Sequence, residues 1–161
     1  MRVIWMAVVV LGMTTGTARA QLAAPRQAVD PGSSRSRELA SQAGEALVGS
    51  KPADALKLAD QAVAADARNP WAHYDRGSAL VDLGRIDEAV AELKVAERSF
   101  SPADAWGKSI AIYGRANALA QAGRCSEAQP VFEQYAVFVE RSDIRAAEMA
   151  RGYAKACVSR R

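Results

Sequence analysis

Two cysteines, Cys125 and Cys157, one histidine, His73, and a scatter of acids are the residues of this 161-residue chain with the most obvious chemistry. The cysteines stand 32 residues apart with no Cys-x-x-Cys pair, so a dithiol redox motif is missing. A metal site or a histidine-based triad would need companions for His73, and there is no second histidine. Glu45, Asp54, Asp60 and Asp66 recur at helical spacing, as acids on a solvated face do. The sequence has no phosphate-binding loop and no paired-glycine nucleotide motif. The expectation is therefore a chain with no catalytic residues, no metal and no cofactor. What remains is recognition chemistry and one pair of thiols.

The elements that would position these groups announce themselves by repetition. Ser50-Lys51-Pro52-Ala53-Asp54-Ala55, Gly84-Arg85-Ile86-Asp87-Glu88-Ala89 and Gly123-Arg124-Cys125-Ser126-Glu127-Ala128 are one phrase written three times. Each has a small residue, a base, two variable positions, an acid and an alanine. The copies are 34 and then 39 residues apart. That period predicts a stack of helical hairpins, each burying its apolar face against its neighbours. Composition agrees. Half the residues are apolar and only 6% aromatic, with alanine prominent, as in helices packed at close range. The net charge is +3, falling to +1 without Arg2 and Arg19, and bases alternate with acids. That balance opposes nucleic-acid binding, which needs a concentrated basic face.

The first residues read as an export signal. Arg2 precedes an apolar run of 11 residues, Val3 to Met13, and Ala18-Arg19-Ala20 is a small-x-small cleavage site. The run is well short of the roughly 20 residues that span a bilayer, so no stable membrane insertion is expected. Cleavage after Ala20 would leave an exported protein, periplasmic or secreted. Residues 21–35, with two prolines and few large apolar groups, read as a disordered linker.

Residues 36–158 then divide into units at about 36–69, 70–100 and 102–140, and a terminal helix at 142–158. Leu39, Ala43, Ala46 and Leu47 predict a first helix over 36–48. Pro52 suits the start of the second. A third runs from Trp71 to Leu83. Asp87 is expected to cap the fourth, Ser101 the fifth and Ser126 the sixth, while Ser142 is expected to start the last. Pro130, in or just past the first turn of the sixth, is the weakest point of the pattern.

These residues resemble the tetratricopeptide repeat, over about Ser36 to Val158. Gly77, Ala79, Leu80, Gly84, Ala89, Leu93 and Ala96 carry the likeness in the second unit, and Ala116, Leu119, Gly123, Ala128 and Phe132 in the third. The first unit is degenerate, with Ala43 in place of the glycine. The resemblance implies an all-α, right-handed α-solenoid of about three hairpins with a C-terminal capping helix. It also implies a concave groove lined by the first helix of each pair. Carried over position by position, that groove would display Arg37, Trp71, Tyr74, Ser78, Asp82, Tyr113, Asn117, Gln121 and Tyr153. Trp71 and Tyr74 equally suit packing between adjacent units. The family form that clamps a C-terminal carboxylate needs lysines that this sequence lacks, with only Asn117 in such a place.

In stacked hairpins the turn carrying Cys125 and the end of the helix carrying Cys157 lie along one edge. Export would favour a disulfide between them, and two buried thiols are the alternative. The functional expectation is a non-catalytic exported adaptor that holds a protein or peptide partner in its groove. Its alternative is a structural subunit of an envelope complex, acting by lateral packing or self-association through the region of Trp106.

Overall fold

The computed structural model describes residues 31–158. The expected signal segment, its cleavage site and linker residues 21–30 lie outside the described residues. Seven helices follow in order: α1 Pro31–Val48, α2 Pro52–Ala65, α3 Pro70–Asp82, α4 Ile86–Ser99, α5 Ala105–Gln121, α6 Cys125–Val139 and α7 Ile144–Val158. No strand occurs among the described residues. Each helix packs on the next, and α1 also touches α3, and α3 touches α5. The odd helices therefore lie together as an inner layer, with the even helices outside. This is an all-α solenoid of helical hairpins.

The repeated phrase closes the hairpins. Its small residue adopts a left-handed backbone at the end of each inner helix: φ is 55° at Ser50, 74° at Gly84 and 72° at Gly123. Glycine takes this conformation without strain, whereas serine does not. In the second and third copies the base and the acid are partners. The Arg85 guanidinium donates to Glu88 at 2.6 Å, and that of Arg124 to Glu127 at 2.7 Å. The alanine of each copy, Ala55, Ala89 and Ala128, is fully buried where two helices meet.

Several helix starts differ from expectation. Helix α1 begins at Pro31, ahead of Ser36, so residues 31–35 are helical and not linker. Two polar anchors account for this. Ser33 Oγ donates to Asp66 at 2.6 Å, and the buried Ser36 Oγ donates to the Ala62 carbonyl at 2.7 Å while accepting from Asn69 Nδ2 at 2.9 Å. Asp87 and Ser126 do not cap: α4 and α6 follow Arg85 and Arg124 without a side-chain cap. Asp87 instead pairs with Arg124 of the next unit. Helix α5 starts after Asp104, not Ser101, and the Asp104 carboxylate accepts from the Gly107 N–H at 2.8 Å. Phe100 fills the space against Gly107, so the chain must round that ring before the helix can begin. Helix α7 starts at Ile144, and Asp143 accepts from the Ala146 N–H at 2.9 Å. Asn69 caps α3 by accepting from the Trp71 N–H at 3.1 Å. Pro130 lies inside α6 on its exposed side, where the missing N–H leaves its would-be acceptor open to water.

The core is a row of small clusters along the stack. Leu39, Ala40, Ala62 and Ala72 join α1 to α3, and Ala96, Phe100 and Ala111 join α4 to α5. Ile112, Leu119, Phe132, Ala147 and Ala154 belong to the largest cluster, between α5 and α7. Cys125 and Cys157 are joined by a disulfide, with Cα atoms 5.3 Å apart, which fastens α7 to the start of α6.

Two outcomes test this account. Ser50→Gly should raise the stability by about 0.5–1 kcal/mol in urea denaturation, whereas Gly84→Ala should lower it by about 1 kcal/mol. Reducing the disulfide should cost about 2–4 kcal/mol, and amide exchange should accelerate most in α7.

Candidate functional site

The inner layer carries a shallow channel made of three recesses in series. The first, about 430 Å³, lies between α1 and α3 and includes Arg37, Gly44, Asn69, Trp71 and Asp75. The second, about 470 Å³, spans α1, α3 and α5 and includes Gly44, Tyr74, Asp75, Ser78, Asp82, Asn117 and Gln121. The third, about 380 Å³, runs from α5 to α7 and includes Asn117, Gln121, Phe132 and Tyr153. Gly44 and Asp75 are common to the first two, and Asn117 and Gln121 to the last two. The recesses are thus contiguous.

Helical spacing explains the lining. Tyr74, Ser78 and Asp82 recur every fourth residue on α3, and Asn117 and Gln121 do the same on α5, so each set falls on one face. Trp71 serves two purposes. It borders the first recess, and its ring meets Phe100 edge-on at 5.1 Å, Tyr74 at 5.9 Å and Trp106 at 5.4 Å. Ser78 Oγ donates back to the Tyr74 carbonyl at 2.9 Å, and burial pushes the Tyr74 phenol above its ordinary pKa. Tyr153 lies across Phe132 with ring centres 6.0 Å apart and stays half exposed. Tyr113 borders none of the three recesses. It packs on Phe132 and Tyr135, at 6.1 and 5.1 Å, against the α5–α7 core.

His73 lies outside the channel and is buried. Its Nδ1 is 2.7 Å from the Glu92 carboxylate and its Nε2 is 2.9 Å from the Ala67 carbonyl. Both partners are acceptors, so both ring nitrogens donate and the imidazolium is favoured. The Glu92 hydrogen bond, opposed by burial, raises the His73 pKa. Glu92 also takes a guanidinium nitrogen of Arg76, which reaches Asp60 on α2 at 2.6 Å. His73 is thus a strut between α3 and α4. Among the described residues no group of His, Cys, Asp and Glu is arranged to hold a metal ion.

Asp75 is the site residue that sequence reasoning missed. It is only 8% exposed and borders both the first and second recesses. Desolvation pushes its carboxyl up to about 7. Its signal lay in the spacing: Ala72, Asp75 and Ala79 follow one another at intervals of three and four, which sets an acid on the buried stripe of α3.

The comparisons with known proteins bear on this arrangement. The family model for the tetratricopeptide repeat matches residues 49–109, which hold α2, α3, α4 and the first turn of α5. No curated protein matches the chain. Over that segment the chain is similar to the tetratricopeptide repeat, and repeats of that family form concave surfaces for protein–protein interaction. No described helix is long and apolar enough to cross a membrane, and the disulfide is compatible with export.

A carboxyl whose pKa is raised on folding stabilises the folded state while protonated, and loses that contribution as pH climbs from its ordinary value of 3.8 towards about 7. The lowered carboxyls, Asp66, Glu88, Glu92 and Glu127, act at lower pH and with the opposite sign. His73, raised above 6.5, loses its contribution only at higher pH. Between about pH 5 and pH 6.5 the urea stability should therefore fall by up to about 2 kcal/mol, and Asp75→Asn should flatten that slope.

Proposed function

We propose that this chain is an exported, non-catalytic adaptor that holds a protein or peptide partner in the channel along its odd helices. The observation that carries the reading is the continuity of the channel. Tyr74, Ser78, Asp82, Asn117 and Gln121 converge there from two units, and Arg37, Trp71 and Tyr153 extend it at either end. Half-buried aromatic rings offer contact area at small entropic cost, and the two amides suit the backbone groups of an extended peptide. Export is supported by the tripartite pattern of residues 1–20 and by the Cys125–Cys157 bond. A periplasmic setting fits that short signal.

A second reading has its own observation. Trp106 is 68% exposed, Val137 62% and Ile144 53%, with the half-exposed Phe138 under the Lys108 ammonium. Exposed apolar groups of this size suit lateral packing in an envelope complex or between copies of the chain.

Crosslinking in the native envelope separates the two. The parent should enrich a partner that a Tyr74→Ala/Asn117→Ala variant loses by at least about tenfold, as expected for an aromatic anchor and an amide contact. Equal capture by parent and variant, with loss on Trp106→Ala instead, would establish the lateral reading.

A further inference from the structure

Asp75 is the one buried acid in the channel, and among the described residues its carboxylate has neither a hydrogen bond nor an ion pair. Other acids at comparable depth are matched. Glu97 accepts from Arg115 at 2.7 Å and from Gln134 at 2.6 Å, and Glu92 takes His73 and Arg76. The cost of burying a carboxylate makes such pairing the rule. A carboxyl left unmatched at this depth is neutralised by a proton, as its raised pKa reflects, or by a cation that enters from the open recesses.

Three features show what that would be. The carboxylate is at the junction of the first and second recesses, so a ligand following the channel passes over it. Across the channel stands Gly44, where a Cβ would lie in ordinary contact with Asp75 Oδ1 at 3.9 Å, so α1 packs close to the carboxylate there and a cation reaches it from the recesses on either side. Arg37, the base that borders the first recess, directs its guanidinium to Ser34 at 3.4 Å. Trp71 and Tyr74 flank the junction with aromatic rings, which favour a cation further, and Asp82 adds a second negative charge along the second recess.

We propose that Asp75 receives a lysine or arginine side chain from an extended peptide lying in the channel. The channel continues on both sides of Asp75, so the cation comes from a side chain of a passing segment and not from a chain terminus. This inference rests on the adaptor reading above and specifies its partner: a segment with one basic residue seated between α1 and α3, its flanks running towards Arg37 on one side and Asn117 on the other. Ion pairing in a desolvated site discriminates strongly, because a neutral side chain there leaves the carboxylate unmatched.

The test uses fluorescent short peptides of randomised sequence. A matched set carries acetyl-lysine for lysine and citrulline for arginine. Binding is read by anisotropy against the full mature chain, Asp75→Asn and Tyr74→Ala/Asn117→Ala. The expected result is selection of a basic residue at one position, with an affinity loss of about 10- to 100-fold on neutralising that residue. Asp75→Asn should abolish the preference while still binding the neutral peptides. Channel-dependent binding with no basic preference, or with a preference that survives Asp75→Asn, overturns the role of Asp75 and leaves the adaptor reading standing. Equal binding of every peptide to the parent and to Tyr74→Ala/Asn117→Ala would overturn the channel as the binding site and this inference with it.

Discussion

The close approach of helix backbones is the constraint on which the rest of this molecule depends. At Gly77 a Cβ would come within 2.7 Å of Leu93, and at Gly107 it would collide with the Phe100 ring. The buried positions between helices are mostly alanine. Packing at this range holds the hairpins thin and lets successive units repeat without large side chains to separate them. It also limits how much apolar area each interface removes from water, and so how much each can contribute. The stack therefore needs polar ties in addition to its row of small cores.

Those ties recur in register. Arg76 on α3 joins Asp60 of α2 and Glu92 of α4; Arg115 on α5 joins Glu97 of α4 and Gln134 of α6; Arg151 on α7 joins Glu133 of α6 and Glu140 just past its end. Each arginine lies on an inner helix and reaches outer ones. Exposed pairs of this kind contribute little stability, and even buried ones repay their desolvation only in part. Their value is in alignment, since a guanidinium that ties its own helix to a neighbouring one, or to two as at Arg76 and Arg115, fixes how those helices slide past one another. Asp75 has no such partner, so its charge takes no part in holding the units together.

Much of the fold was legible because turns and crossings restrict residue type. The left-handed turn left Gly84 and Gly123 in the sequence, close approach left Gly77 and Ala89, and the stacking that follows from them set Cys125 beside Cys157. Helix starts were harder to read. Ser101, Ser126 and Ser142 are good caps in isolation, but tertiary contacts chose other residues: the Phe100 ring delayed α5, and the pairing of Arg124 with Glu127 and Asp87 took over the start of α6. Helix α1 began earlier than its apolar pattern because Ser33 and Ser36 find partners on another helix, which periodicity does not register. The channel face followed from helical spacing at Tyr74, Ser78, Asp82, Asn117 and Gln121. Tyr113, one turn before Asn117, shares that spacing but is taken up by Phe132 and Tyr135, and Asp75 falls on the buried stripe of α3 with Ala72 and Ala79.

The disulfide gives the stack a direction. Where units touch only their neighbours, the ends open before the middle. Here the two ends are unlike. Helix α7 stays tethered through Cys157 even when its packing loosens, while α1 is held to α2 and α3 by noncovalent contacts such as those of Ser36 alone. Thermal opening thus begins on the amino-terminal side and takes apart the Arg37–Trp71 recess while the recess beside Tyr153 persists. A segment lying along the channel would let go in that order, peeling away from α1 while its other end stays bound.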